Sequence, residues 1–235
     1  MRSKLRQTLS PEELESVCNS YDLIGDIAVI HATKNSAKSR QNIAQAIMNV
    51  HKNIKVVLAQ TSPVSGDFRV RRLERVAGER RTVTVHRESG CLFSVDVERC
   101  YFSPRLSHER LRVAKQVKNG EVALNMFAGV GCFSLLIARH SLASKIYSVD
   151  CNPIAVKYMQ ENVRLNRAYG RVIPILGDAK EVAETSFRHV ADRVLMPLPA
   201  KTLEYLPQAL SALKRTGGWI HIYEFEHAES DENPV

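Results

Sequence analysis

The sequence predicts an α/β protein in two parts: a doubly wound parallel sheet over residues 101–235, preceded by a small α+β domain over residues 20–100. Three observations carry this. From about Tyr101, apolar runs of strand length alternate with stretches of helical period, the pattern of a parallel sheet covered by helices on both faces. Before that point the order is irregular and includes a hairpin, because Thr82–His86 and Cys91–Val95 alternate around Glu88-Ser89-Gly90. With 44% apolar and 25% charged residues over 235 positions, the chain can bury a core without disulfides, and a disordered tail protein is excluded.

Residues 1–19 read as a basic segment with a short helix: Ser10 caps it, Pro11 takes the first helical position, Glu13 closes a capping box, and it runs to about Cys18. Asp22–His31 is a β-rich run broken by Gly25. Ile43, Ile47 and Val50 recur at helical spacing and predict a helix over Ser36–Val50, and Ile54–Leu58 reads as a strand. A charged helix over Glu109–Val117 opens the second part. Its strands are expected at Val122–Phe127, Lys145–Asp150, Val172–Leu176, Arg193–Met196 and Trp219–Phe225. No internal repeat is visible, and only the polar end, Glu226–Val235, resembles a linker.

Lys and Arg number 33 against 25 Asp and Glu, a net charge of +8 that favours a polyanionic partner without proving one. The five cysteines form no CxxC pair and none of the eight histidines has the spacing of a metal site or triad, so no metal is expected and a reduced, cytoplasmic setting fits. Neither a signal peptide nor an apolar run of membrane-spanning length is present.

The sharpest local feature is Asn125-Met126-Phe127-Ala128-Gly129-Val130-Gly131-Cys132-Phe133, a strand running into a Gly-x-Gly turn that opens an apolar helix. Glycines there let a ligand approach the backbone at a helix N-terminus. Nineteen residues past Gly131 the next strand ends on Asp150, where nucleotide-binding α/β folds place a carboxylate against ribose hydroxyls. The third strand is followed by Asp178, placed to accept from an adenine amino group. A dinucleotide would want a third glycine where Ser134 stands. Two acids tolerate a sulfonium and repel phosphate, so S-adenosylmethionine (SAM) suits the site better. The competing reading is a tight turn with two helix-capping aspartates.

Gly66-Asp67-Phe68-Arg69-Val70-Arg71, Tyr101-Phe102-Ser103-Pro104-Arg105-Leu106, Glu109-Arg110, the loop Phe127–Gly131 and Asp150-Cys151-Asn152-Pro153 together resemble one family in order. It is the archaeal and eukaryotic tRNA (guanine-N1)-methyltransferases, which modify the guanine immediately 3′ of the anticodon, and the resemblance runs from about Ser20 to Phe225. It implies a Rossmann-like SAM domain preceded by an RNA-contacting domain, with the tRNA anticodon stem-loop as partner and a monomer as the expected state. Guanine N1 carries a proton at neutral pH, so transfer needs a base and a group to hold charge on O6. By resemblance Glu109 is that base, with a pKa that burial must raise toward neutrality, and Arg69 stabilises the oxyanion. Tyr101 matches a tyrosine near base and cofactor, and Asn152-Pro153 the turn after the ribose acid. Arg110, Phe127, Gly129, Gly131, Asp150, Cys151, Asp178 and Ala179 match cofactor-contacting positions.

Plainer readings stand beside these. Glu109 lies near Arg110 and Arg112 and reads locally as a solvated salt-bridge residue, and Arg69 sits among Arg71, Arg72, Arg75, Arg80 and Arg81 as one cation of a phosphate-contacting face. Tyr101 and Phe102 could close a core between domains, and Cys132 and Cys151 could be buried small hydrophobes. The sequence also departs from the family. Pro197, in Met196-Pro197-Leu198-Pro199-Ala200, replaces an asparagine that contacts cofactor and base, leaving a carbonyl but no side-chain amide. Members often carry a further N-terminal domain, and their sheet continues with a helix and two strands past the point where this sequence ends, so weaker tRNA binding is expected, with either a short sheet or a truncated product. Two alternatives remain. A sister branch transfers the aminocarboxypropyl group of SAM in wybutosine synthesis, although Ser103-Pro104-Arg105-Leu106 matches the methyltransferase branch. The other is a non-catalytic RNA-binding module.

Overall fold

Gly25 and Asp26 turn β1 (Tyr21–Ile24) back onto β2 (Ile27–His31), and only glycine fits the turn: φ is +57° and a Cβ would stand 2.2 Å from Thr84 Oγ1. The computed structural model describes residues 21–31 and 36–225. The helix expected over Ser10–Cys18 lies outside these residues. Two compact units divide the chain, the first ending at Ser107 and the second starting at His108.

In the first unit, helix α1 (Ala37–Val50) begins where expected, with Ser36 Oγ accepting from Ser39 N–H at 3.2 Å. Its Ile43, Ala44, Ala46 and Ile47 pack on Ala28, Ile30, Val57 and Ala59 of β2 and β3 (Val56–Gln60), which run parallel. Strand β3 lies two residues later than the apolar run Ile54–Leu58 suggested. Ile54 is buried before the strand begins. Strand β4 (Leu73–Gly78) completes the sheet, in the order β1-β2-β3-β4, as an antiparallel edge the sequence did not reveal. Strands β5 (Val83–Glu88) and β6 (Cys91–Asp96) form the expected hairpin, and the turn narrows to Ser89-Gly90, both at positive φ as a type I′ turn requires. Asp26 ties hairpin to sheet by accepting from Arg81 Nη2 at 2.6 Å and Thr84 Oγ1 at 2.7 Å.

The second unit opens with α2 (Ser107–Gln116) and then alternates: β7 (Val122–Asn125), α3 (Cys132–His140), β8 (Lys145–Asp150), α4 (Pro153–Leu165), β9 (Val172–Leu176), α5 (Ala179–Ser186), β10 (Arg193–Met196), α6 (Thr202–Ala212) and β11 (Trp219–Ile222). The five strands are parallel in the order β11-β10-β7-β8-β9. The direction of winding reverses at β7, which opens a crevice at the carboxyl ends of the strands around it. Helices α5 and α6 bury Ala179, Ala183, Phe187, Ala209 and Ala212 against Leu124, Val149, Val194 and Met196. Strand β7 stops at Asn125, two residues short of the expected Phe127, where Met126 N–H makes its last bond to β10, at Leu195 O, 3.0 Å away. Strand β11 likewise ends at Ile222, before the expected Phe225.

Candidate active site

The glycine loop connects β7 to α3. Gly131, at φ +92°, stands at the N-cap of α3 without a capping side chain, and a Cβ there would meet Met159 Cγ at 3.0 Å. Asp150 holds the loop to the end of β8: Oδ2 accepts from Gly129 N–H at 2.6 Å and Oδ1 from Asn152 N–H at 2.9 Å. Burial pushes this carboxyl above its ordinary range, against the pull of the two N–H groups. Each oxygen spends one acceptor site on backbone and keeps one for a hydroxyl. Asp150 is therefore a loop tie and not a helix cap. The caps are Asn152, whose Oδ1 accepts from Ile154 N–H at 3.0 Å with Pro153 at the first position of α4, and Asp178, whose Oδ1 accepts from Lys180 N–H at 2.7 Å at the start of α5. Ser134, where a third glycine was wanted, is fully buried and bonded to Asn125 Nδ2 at 3.1 Å and Ser148 Oγ at 2.7 Å, locking α3 to β7 and β8.

Asp178 and Phe127 meet at Tyr205 of α6. The Tyr205 hydroxyl donates to Asp178 Oδ2 at 2.8 Å, and its ring meets Phe127 edge-on with centroids 5.1 Å apart. Burial raises the Asp178 carboxyl, but the Tyr205 hydroxyl and the N–H groups of Lys180 and Glu181 outweigh it, and the group lies below its ordinary value. Ala179 is buried beside it, and Cys132 is a buried small side chain as expected. Cys151 is not: it is exposed, because it begins the turn between β8 and α4 and points away from the core.

Glu109 lies on α2, one residue before the buried Arg110. Its Oε1 accepts from the Tyr223 hydroxyl and from Arg112 Nη2, both at 2.7 Å, and Oε2 accepts from Arg112 Nε at 2.6 Å. The expected rise in pKa does not occur. Arg112 and then Tyr223 favour the charged form, burial is too slight to offset them, and the carboxyl sits below its ordinary value. Tyr223 follows β11, and its ring meets Phe133, in the first turn of α3, with centroids 5.9 Å apart. Glu109 is thereby held at the same end of the sheet as the glycine loop. Pro197 follows β10, where Leu198 N–H turns back to Met196 O at 2.8 Å.

In the first unit, Gly66–Arg69 forms a tight turn between β3 and β4. Arg69 N–H reaches Gly66 O at 3.1 Å, and Arg69 itself takes φ +53°. Arg71 Nη1 donates to Gln60 Oε1 at 3.0 Å. Phe102 is buried against His86 and Phe93, whereas Tyr101 is 46% exposed and closes no core within the unit. Among the described residues no group of three His, Cys, Asp or Glu could hold a metal ion, and no helix is long and apolar enough to cross a membrane.

The model of the TRM5/TYW2 methyltransferase domain matches residues 84–234, and that of the TYW2 N-terminal domain residues 1–82. The chain belongs to the TRM5/TYW2 methyltransferase family. It is 43% identical over 216 residues to tRNA (guanine(37)-N(1))-methyltransferase Trm5b of Pyrococcus abyssi, a match covering 92% of this chain and 63% of that protein. It superposes on aTrm5 in complex with tRNALeu at a TM-score of 0.81 and 37% identity, over 95% of this chain and 62% of that one. The Methanocaldococcus jannaschii TYW2 structure with AdoMet superposes at 0.61 and 29% identity, over 83% of this chain and 72% of that one. The chain thus spans about three fifths of the length of the Trm5b protein it matches. Two residues of this TRM5/TYW2 site escaped sequence reasoning, Tyr205 and Tyr223, which reach Asp178 and Glu109 from 27 and 114 positions away. No local pattern marks either.

Proposed function

We propose that this chain transfers the methyl group of SAM to N1 of the guanine immediately 3′ of the anticodon in tRNA. The observation that supports the reading is the carboxylate of Glu109 bonded to Tyr223, whose ring packs on Phe133 just after the glycine loop that Asp150 ties down, in a chain 43% identical to a Trm5b enzyme. The donor set fits SAM. Asp150 keeps acceptor sites for ribose hydroxyls and Asp178 for an adenine amino group, while Ser134, buried and bonded to Asn125 and Ser148, leaves no third glycine for a pyrophosphate. When bound, SAM supplies an electrophilic methyl group on sulfur. Glu109 takes the N1 proton, and Arg69, a permanently charged planar donor, holds the charge that develops on O6. The net charge of +8 supports a phosphate-rich partner.

A second reading, aminocarboxypropyl transfer to a wybutosine precursor, is favoured by the match of residues 1–82 to the TYW2 N-terminal domain. Both use the same cofactor and differ in the carbon–sulfur bond that breaks. The test is to incubate the chain with methyl-labelled SAM and unmodified tRNA carrying guanine 3′ of the anticodon, digest, and weigh the modified nucleoside. One-methylguanosine is expected. An aminocarboxypropyl adduct on tRNA carrying the wybutosine precursor, incubated in parallel, decides for the second reading, and the absence of any heat of SAM binding makes the chain a non-catalytic RNA-binding module. In the same assay Glu109→Gln should lower turnover ~10²-fold or more with SAM affinity nearly unchanged. Wild-type turnover in that variant would remove Glu109 from the reaction.

A further inference from the structure

The two oxygens of Glu109 are not equivalent. Oε1 accepts from both Tyr223 and Arg112, whereas among the described residues Oε2 accepts from Arg112 Nε. With about two acceptor sites per carboxylate oxygen, Oε1 is filled and Oε2 keeps one. The two donors also differ in how firmly they are held. Arg112 grips both oxygens, but it lies three residues along the same helix with its side chain 54% exposed, so water can take its place. Tyr223 is fixed: Thr202 Oγ1 donates to its carbonyl at 2.6 Å and its ring packs against Phe133. Burial and the adjacent Glu109 push its phenol above the ordinary value, so it stays a donor. The remaining titratable groups facing this pair are His221 of β11, which burial and Arg193 keep neutral at pH 7, and Arg110, which acts on Tyr223.

We propose that Tyr223 is the positioning residue of the methyl-transfer site: its hydroxyl fixes Glu109 Oε1, so that Oε2 is the atom that receives the N1 proton, while Arg112 is a detachable counter-charge. The proposal rests on the reading of Glu109 as the base. In the step it describes, the N1–H bond breaks and the proton passes to Oε2. The N1 electron pair forms the bond to the methyl carbon, and the carbon–sulfur pair stays on sulfur, which becomes a neutral thioether.

Tyr223→Phe keeps the ring against Phe133 and removes the hydroxyl. Single-turnover methyl transfer, at saturating SAM and tRNA, is measured against pH. The rate should fall about 10-fold or more, because a misplaced base loses alignment, with SAM affinity unchanged. Activity is lost on the acid side as Glu109 takes up a proton. Removing a donor that favours the charged form should therefore move that limb to higher pH. A lower rate with an unmoved limb assigns Tyr223 a merely structural role and overturns the proposal, as does a wild-type rate. If Tyr223→Phe does not fold, Thr202→Val releases the carbonyl anchor and should shift the limb the same way by less; no shift overturns the proposal equally. Glu109→Gln is run alongside. Wild-type turnover there sinks the base assignment itself, whereas a lost Glu109→Gln activity with an unaltered Tyr223→Phe profile sinks only the role of Tyr223.

Discussion

His221, on β11, should make the second unit lose stability on mild acidification. Its Nε2 lies 2.6 Å from Arg193 Nη1, whose side chain is 2% exposed and also donates to Glu121 at 2.8 Å. The ring nitrogen facing a guanidinium must accept, so the imidazole has to be neutral there. Burial first, and then the Arg193 charge, lower its pKa from 6.5 to about 4. The folded state thus binds this proton only below about 4, while the unfolded chain binds it below about 6.5. Between those values the unfolded state holds more protons, so the contribution is fully present above about 6.5 and is lost as pH falls toward about 4. At about 1.4 kcal/mol per pH unit that interval would amount to about 3.5 kcal/mol for a fully buried ring; His221 is only half-buried, and screening by water brings the contribution to roughly 1–2 kcal/mol. His221→Gln keeps an acceptor for Arg193 and cannot titrate. Urea unfolding followed by far-UV circular dichroism, with emission of Trp219, the chain's single tryptophan, as a local probe, should show wild type losing roughly 1–2 kcal/mol more than the variant across this window. Parallel curves would refute the reasoning.

Three further outcomes are expected. Asp150→Asn sets an amide against Gly129 N–H and removes a charged acceptor worth about 1.5–3 kcal/mol, so SAM affinity measured by calorimetry should fall ~10- to 100-fold; an unchanged dissociation constant moves the ribose site elsewhere. Gly78→Ala places a Cβ 1.9 Å from Lys55 O at φ +83° and should destabilise the first unit by more than ~2 kcal/mol in thermal unfolding; a midpoint equal to wild type would show that the β3–β4 contact is looser than described. If Arg69 and its neighbours meet phosphates, the logarithm of the tRNA affinity should fall linearly with the logarithm of salt concentration, by a slope of about 0.7–0.9 per phosphate. A flat titration contradicts a phosphate-led interface.

What was legible in the sequence is what neighbouring residues decide. Strands β8, β9 and β10 begin and end at the expected residues, and β10, flanked by a strand on each side, is buried throughout. The Gly25 turn, the Ser36 cap, the Ser89-Gly90 turn and the Asn152-Pro153 helix start are all local steric choices and could be read directly. Strand β4 could not. Glu74 and Arg75 are exposed on an edge that carries no alternating pattern, and only the ladder to β3 makes it a strand.

The same division runs through the site. Gly129, Gly131, Asp150 and Asp178 stand out because strand ends and helix starts are marked in sequence, and the structure adds that Asp150 also ties the loop across 21 positions. Glu109 shows where such reading stops. The reaction calls for a base with a raised pKa; the salt bridge to Arg112 was legible as the plainer reading of Glu109, whereas the tyrosine 114 residues away that also donates to it was not. A chemical requirement fixes what the catalytic state must achieve and says nothing of what holds the residue beforehand. A carboxylate held low by a detachable arginine can still serve, because loss of that one donor removes the largest cause of the lowering while Tyr223 keeps the group in place.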